Sequence, residues 1–235
     1  MKMEGIKTVF IDIDDTLWWF TENSKVALRH VFDVNGLETM CPYEQFRSEY
    51  EKRNAVLWDL YHHGEITKDF LIHDRFSYTL EQCGYQGDTD AICHDLNTEY
   101  LRLLALQPTT LPGAKELLEY LVEQGYDVNT LSNGFHGTQQ QKLRSGGLLH
   151  LIHRNVLSDD CGITKPLPGI FAYALEQCDA TADTTVMIGD NPEADIEGAH
   201  NAGWRTIYYN VKNKPAIPGT ADAEVASLSE IKELL

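Results

Sequence analysis

Acidic side chains cluster directly after the first apolar run of the chain. Residues 6–11 form an apolar run with a β-branched and aromatic bias, which predicts a strand buried on both faces, and Asp12, Asp14, Asp15 and Thr16 follow at once. Three carboxylates so close together repel one another unless a cation neutralises them, one keeps a proton, or they point apart into water. From this stretch alone, a solvated acidic turn and a cation-dependent site both stay open.

Three later segments predicted as strands also end in polar side chains. They cover residues 126–131, 155–157 and 184–188. A hydroxyl and an amide follow the first of them, a lysine in a loop follows the second, and further carboxylates follow the third. In chain order these residues are Ser132 and Asn133, then Lys165, then Asp190 with Asn191 and Asp195.

The elements around these residues predict an α/β fold with a doubly wound parallel sheet. Helical and strand patterns alternate after residue 111, with a last helix expected from about residue 229 to residue 235. Ligands of such sheets collect at the carboxyl ends of the strands. Alone, each polar segment is typical of an ordinary turn, loop or helix cap. Together they favour a site that holds a phosphoryl group, with Asp12 and Asp190 as Mg²⁺ ligands and Lys165 neutralising charge.

A long insert separates the first strand from the rest of the sheet. Residues 18–108 show four stretches with apolar residues three to four positions apart, separated by Asn35-Gly36, Gly64 and Gly84. This pattern predicts an all-helical cap domain at 18–108. The catalytic core is then formed by residues 1–17 and 109–235.

Composition excludes several classes of partner. The net charge is −17, so the molecule repels nucleic-acid polymers, although a small phosphate ester with a divalent cation remains acceptable. The five cysteines are odd in number and contain no C-x-x-C pair, which favours reduced thiols in the cytoplasm. We find no apolar run long enough to cross a membrane and no secretory signal.

The ordered motifs resemble the haloacid dehalogenase superfamily. The matching segments are Asp12-Ile13-Asp14-Asp15-Thr16-Leu17, Leu131-Ser132-Asn133-Gly134, Lys165-Pro166, and Gly189-Asp190 through Asp195. The resemblance implies a Rossmann-like core with strand order 5-4-1-2-3 and a helical cap between the first and second motifs. It also implies a cis peptide bond between Lys165 and Pro166.

The same resemblance assigns roles to the core residues. Asp12 is expected to attack phosphorus and form an aspartyl-phosphate, and Asp14 is expected to protonate the leaving oxygen and then activate water. The phosphoryl group would be bound by Thr16, Ser132, Asn133 and Lys165. Mg²⁺ would be bound by Asp12, Asp190 and the main-chain carbonyl of Asp14, with Asp195 and Asn191 as supporting residues.

Departures from the superfamily pattern narrow the expected substrate. Dehalogenating members lack the second aspartate of the first motif, so Asp14 favours phosphate esters, and Asp15 in place of glycine is familiar in nucleotidase-like branches. The cap and loops resemble bacterial pyrimidine-type 5′-nucleotidases. We therefore expect a pyrimidine (deoxy)nucleoside monophosphate as substrate, with contacts from Trp19, Phe20, Asn54, Trp58, Tyr61, Arg75 and Phe135. The simpler alternative is that Trp58 and Tyr61 only pack in the core of a helical bundle.

Two further readings remain open. A phosphoglycolate-type phosphatase or a phosphosugar mutase has the same core. A phospho-accepting signalling domain also has acidic residues, a hydroxyl and a lysine at its strand ends. That domain needs an acceptor aspartate after a later strand, whereas Ser132 and Asn133 follow Leu131, and a ninety-residue insert is foreign to it.

Overall fold

Six parallel strands form the sheet of the computed structural model, which describes residues 2–235. Their order is β3-β2-β1-β4-β5-β6, so the predicted order 5-4-1-2-3 is confirmed and a sixth strand extends one edge. On β1, Val9 is paired with Val128 on one side and with Val186 on the other. The strands are β1 Thr8–Ile11, β2 Asp127–Ser132, β3 Arg154–Leu157, β4 Thr185–Gly189, β5 Arg205–Tyr209 and β6 Ala223–Val225.

The two central strands are buried along their whole length. Every residue of β1 and β4 is buried, which is expected of parallel strands covered by helices on both faces and explains their continuous apolar sequence. On one face Phe10 packs against Trp204, with ring centroids 4.9 Å apart, and Trp204 packs edge-on against Phe171 at 5.3 Å. This packing fixes the ends of the central strands, where the polar residues lie.

Nine α-helices accompany the strands within the described residues. They are α1 Phe20–Val34, α2 Tyr43–His62, α3 Lys68–Gln82, α4 Thr89–Ala105, α5 Ala114–Glu123, α6 His136–Ser145, α7 Ser158–Cys161, α8 Pro168–Gln177 and α9 Gly198–Asn201. A π-helical turn, Pro192–Glu197, runs directly into α9. None of the helices in residues 2–235 has the length and apolar composition needed to cross a membrane.

The chain divides into two compact units. One comprises Met1–Phe20 with Pro108–Leu235 and holds the sheet; the other is Thr21–Gln107 and consists of the four helices α1 to α4. Inside the helical unit, Tyr50 packs against Phe76 and Tyr100, with ring centroids 5.0 and 5.4 Å away. These rings come from three different helices and form the apolar centre of that unit.

The C-terminal segment differs from the sequence expectation. A helix was predicted from about residue 229 to residue 235, but the structure has a 3₁₀-helix at Leu228–Glu233, preceded by the unpredicted strand β6. Three residues are too few to display an alternating pattern, and β6 forms because the edge of β5 offers free hydrogen-bonding groups.

Candidate active site

The carboxyl ends of β1 and β4 bring one lysine between two aspartates. Nζ of Lys165 donates hydrogen bonds to Oδ1 of Asp12 at 2.8 Å and to Oδ1 of Asp195 at 2.6 Å. It also donates to the main-chain oxygen of Leu131 at the end of β2, at 2.6 Å. The side chain of Lys165 is 3% exposed, so its charge is held in place by these acceptors.

The loop that carries Lys165 is fixed from the neighbouring strand end. The peptide bond between Lys165 and Pro166 is cis, which confirms that prediction. The amide of Asn133 donates to the main-chain oxygen of Lys165 at 2.9 Å, and its oxygen accepts from the main-chain nitrogen of Lys165 at 2.7 Å. Asn133 was expected to help bind phosphate; here its side chain braces the lysine loop.

Asp195 is held in place by its own turn. Its Oδ2 accepts from the main-chain nitrogen of Asn191 at 3.1 Å, while the side chain of Asn191 caps the π-helical turn through the nitrogens of Glu193 and Ala194 at 3.0 Å. A Cβ atom on Gly189 would overlap Asp195, so the end of β4 requires glycine for steric reasons. Both oxygens of Asp195 are therefore occupied within the described residues.

Three carboxylates converge at this point. Asp12, Asp190 and Asp195 each offer an oxygen within 4.8 Å of the others. Burial raises the pKa of Asp12 well above its ordinary value, Lys165 opposes this shift, and the charge of Asp195 adds to it. Burial also raises the pKa of Asp190 to about 6, against the lowering effect of Lys212. For Lys165, burial disfavours the charge, but the two aspartates outweigh it and raise the pKa.

The donor set fits a small divalent cation. Oδ2 of Asp12 and Oδ1 of Asp190 accept no hydrogen bond from residues 2–235, whereas their other oxygens are bonded to Lys165 and Lys212. Buried carboxylates with raised pKa values are stabilised in their charged form by a cation, and Mg²⁺ prefers one or two such oxygens together with water. The carboxylate of Asp14, the third predicted metal residue, lies outside this group; only its main-chain carbonyl was expected to bind metal.

Asp14 is bound to helix α6. Nζ of Lys142 lies 2.7 Å from its Oδ1 and 3.0 Å from its Oδ2, and the amide of Gln139 donates to Oδ2 at 2.8 Å. The two neighbouring aspartates of the first motif thus have different cationic partners, Lys165 for Asp12 and Lys142 for Asp14. This separation gives the two carboxylates different electrostatic surroundings.

Two hydroxyl groups have capacity for a phosphoryl group. Ser132 lies at the end of β2, where its Oγ accepts from Gln139 at 2.6 Å and from the nitrogen of Gly134 at 3.1 Å, so its proton is available to a ligand. The hydroxyl of Thr16 is fully buried and has no hydrogen-bond partner among residues 2–235. A buried hydroxyl without a partner is costly, and a bound oxygen would satisfy it.

Asp15 occupies a backbone conformation that normally favours glycine. Its φ is +58°, in the left-handed region, where aspartate is among the better tolerated residues. Its Oδ2 lies 2.7 Å from Nζ of Lys212, which also lies 3.1 Å from Oδ2 of Asp190. The substitution of glycine by aspartate in the first motif therefore brings a lysine from the loop after β5 to the edge of the site.

The residues predicted to contact substrate are distributed over both units. Trp19, Phe20 and Phe135 belong to the sheet unit, and Asn54, Trp58, Tyr61 and Arg75 belong to the helical unit. Trp58 and Tyr61 are half-buried and meet edge-on at 5.7 Å, so they are not part of the core of the helical unit.

Arg75, in contrast, is 3% exposed. Its Nε donates to Oδ1 of Asn97 at 3.0 Å, and no carboxylate among residues 2–235 pairs with it. Asn54, also buried, leaves its side-chain oxygen without a partner in the described chain. The helical unit therefore contains buried polar groups that are not fully satisfied.

Lys142 and Lys212 were not among the site residues predicted from the sequence. Lys212 could have been found, because it follows β5 and the carboxyl end of that strand lies at the same edge of the sheet as the others. Lys142 gives a weaker signal: it lies three residues after Gln139 on the same face of a helix whose pattern is otherwise poor in apolar residues.

Comparison with known proteins agrees with this geometry. The family model of haloacid dehalogenase-like hydrolases matches residues 6–203. Pyrimidine 5′-nucleotidase YjjG of Escherichia coli is 34% identical over 97% of the chain and 96% of that protein, and pyrimidine 5′-nucleotidase PynA of Streptococcus pneumoniae is 32% identical over 87% and 84%. The crystal structure of YfnB from Bacillus subtilis bound to magnesium has a TM-score of 0.86 and 29% identity, covering 98% of both chains. The chain belongs to the haloacid dehalogenase-like hydrolase family.

Proposed function

We propose that this hydrolase releases phosphate from pyrimidine (deoxy)nucleoside 5′-monophosphates through an aspartyl-phosphate. The observation that carries the phosphatase part is the lysine that joins Asp12 and Asp195 beside Asp190 at the strand ends. The nucleotide part is supported by the similarity to YjjG and PynA over most of the chain.

Asp12 and Asp14 divide the chemistry between them. A carboxylate oxygen of Asp12 attacks phosphorus, the ester P–O bond breaks, and the proton of Asp14 passes to the leaving nucleoside oxygen. Asp14, now ionised, takes a proton from water as that water attacks the aspartyl-phosphate, which frees inorganic phosphate and restores both side chains. Lys165 donates to Oδ1 of Asp12 and fixes the orientation of this carboxylate.

The carboxylates of Asp12 and Asp190 with the main-chain carbonyl of Asp14 would hold Mg²⁺. When bound, this ion supplies positive charge that keeps Asp12 ionised and neutralises the phosphoryl oxygens. Ser132 and Thr16 bind those oxygens through their hydroxyl protons and orient the ester bond away from Asp12. Lys165, whose three protons are donated to Asp12, Asp195 and Leu131, neutralises the phosphoryl charge without a hydrogen bond of its own.

The helical unit is proposed as the cap that selects the substrate. Half-buried rings such as Trp58 and Tyr61 offer faces on which a flat base can stack, and the partly unsatisfied Asn54 offers a hydrogen-bond acceptor. A sugar phosphate would require more hydrogen-bonding side chains around its hydroxyls. We also propose a cytoplasmic location, supported by five cysteines that are all unpaired in the structure.

Phosphate release across a panel of esters tests the proposal. The panel holds pyrimidine and purine nucleoside monophosphates, hexose phosphates and phosphoglycolate, each with Mg²⁺ and with excess EDTA. We expect the highest kcat/KM with a pyrimidine nucleotide and no activity in EDTA. A preference of about tenfold, or 1.4 kcal/mol, for a sugar phosphate or phosphoglycolate would overturn the nucleotide assignment.

Asp12→Asn provides the blank for this assay. The amide oxygen of asparagine can still accept from Lys165, so the fold is retained, but an amide cannot form the acyl phosphate. Since asparagine can deamidate slowly, Asp12→Ala serves as a second blank. Folded variants that keep more than a small fraction of activity would rule out the aspartyl-phosphate mechanism.

A further inference from the structure

Helix α6 buries an amide and an ammonium group on one face. Its buried residues are Gln139, Lys142 and Leu143, although a helix of this kind normally buries apolar side chains. Lys142 is 3% exposed and Gln139 is fully buried. Burying such groups is costly unless each has a hydrogen-bonding or oppositely charged partner.

Both side chains converge on Asp14. Asp14 is the carboxylate that pairs with Lys142 within residues 2–235, and the lysine Nζ also lies over the rings of Trp18 and Phe20, 4.8 and 5.3 Å from their centroids. The two rings and the carboxylate together hold the ammonium group in one position. Gln139 adds its hydrogen bond to Oδ2 of the same carboxylate.

These contacts make the two oxygens of Asp14 different. Oδ2 accepts from Lys142 at 3.0 Å and from Gln139 at 2.8 Å, which fills the two acceptor positions of a carboxylate oxygen. Oδ1 accepts only from Lys142, at 2.7 Å, within the described chain. Oδ1 thus keeps one open acceptor position.

Gln139 also ties this arrangement to the phosphoryl-binding end of β2. The same amide nitrogen donates to Oγ of Ser132 at 2.6 Å, so the orientation of Asp14 is set relative to that hydroxyl. A Cβ atom on Gly134 would overlap the amide of Gln139, and glycine at this position leaves the room it needs. The position of Asp14 is therefore fixed from two directions.

We propose that Lys142 is a positioning residue that, with Gln139, holds Asp14 so that Oδ1 delivers the proton to the leaving oxygen of the ester. This inference rests on the role of Asp14 in the proposed function. It assigns to Lys142 no contact with substrate. First-turnover release of the leaving group isolates the step in which this positioning assists protonation.

First-turnover measurements with two leaving groups test the role. Excess Mg²⁺-loaded enzyme is mixed with a pyrimidine nucleoside 5′-monophosphate, whose alkoxide needs a proton, or with p-nitrophenyl phosphate, whose phenolate leaves without one. We expect Lys142→Met to slow nucleoside release by about 100-fold, the usual size of a general-acid contribution, and p-nitrophenol release by less than about threefold.

Matched variants separate positioning from general disruption. Lys142→Arg keeps the charge and should restore nucleoside release to within about tenfold of wild type. Lys115→Met, which removes an exposed lysine of α5, should leave both rates unchanged. In an Asp14→Asn background, Lys142→Met should have no further effect on nucleoside release, because the two residues act as one unit.

Each contrary outcome is informative. Equal losses with both substrates, or losses that add in the Asp14→Asn background, would overturn the positioning role. The side chain of Asp14 is 31% exposed and can be hydrated without Lys142, so we expect Lys142→Met to fold. Should it unfold, Lys142→Gln must show the same dependence on leaving group. Wild type that releases no nucleoside would overturn the proposed function itself, before any variant is measured.

Discussion

Two buried carboxylates share one ammonium group at the end of β1. Asp12 and Asp195 both bind Lys165, and the side chains of all three are at most 11% exposed. When both carboxylates are ionised, the group carries a net negative charge away from water, which is costly unless a second cation neutralises it. From this charge balance we expect the loss of the lysine and the loss of one aspartate to change the free energy of unfolding by different amounts.

Lys165→Met and Asp195→Asn should therefore differ in stability. The first leaves two buried carboxylates without a cation and should lower the free energy of unfolding by about 3 kcal/mol in EDTA. The second leaves one carboxylate with one ammonium, so the loss should stay under about 1 kcal/mol. Urea unfolding at neutral pH measures both. Equal losses would show that packing, and not charge, governs this group.

Asp190 predicts a dependence of stability on pH in the absence of metal. Its pKa is about 6 in the folded protein because of burial, against about 3.9 in an unfolded chain. The folded state thus holds this proton more tightly, and stability falls as pH rises from about 4 to about 6. The shift of about two units corresponds to about 3 kcal/mol lost across this window.

Asp190→Asn should remove this contribution. Urea unfolding in EDTA between about pH 4 and about pH 7 should give a flatter profile for the variant, and at neutral pH the variant should be the more stable protein. Asp69→Asn, which removes an exposed carboxylate of α3, controls for the loss of one negative charge. A slope in Asp190→Asn equal to that of wild type would contradict the assignment.

At the scale of elements, a turn that requires glycine sets the position of Asp195. Gly189→Ala would place Cβ against a carboxylate that is already fixed by Lys165 and by the nitrogen of Asn191. We expect a loss of about 2 kcal/mol in stability, together with reduced activity. Gly137→Ala on α6 is the control, since its Cβ would meet no atom within 4 Å and alanine favours a helix. A variant at Gly189 as stable as this control would contradict the steric argument.

Whether an element could be predicted from the sequence depended on the interactions that stabilise it. Strands β1 and β4 were predictable because burial on both faces requires an apolar run, and the residues that end them follow from the chain alone. Strand β6 was not, since three residues at a sheet edge form through pairing with β5 and not through their own pattern. The contact of Lys142 with Asp14 joins residues 128 positions apart, and no local spacing encodes it.

On the scale of the whole molecule, the protein carries a large negative net charge, although its site must admit an anion. The net charge of −17 includes the carboxylates that converge at the strand ends, while Lys142, Lys165 and Lys212 are the cations placed among them. Those lysines attract an anion close to the strand ends. The repulsion from the net charge extends over the Debye length, about 10 Å at 0.1 M salt. A short anion therefore interacts mainly with the three lysines, whereas a long anion is also repelled by the net charge of the whole protein.

This difference predicts discrimination by substrate length. A 5′-phosphorylated oligonucleotide should have a kcat/KM at least about tenfold below that of the mononucleotide at low salt, and the gap should narrow as ionic strength rises to about 0.2 M at constant Mg²⁺, because screening weakens repulsion between like charges. An oligonucleotide of the same length with a neutral methylphosphonate backbone separates charge from size. If the charged oligonucleotide instead reacts faster at low salt, a local positive surface outweighs the net charge, and nucleic-acid ends become candidate substrates.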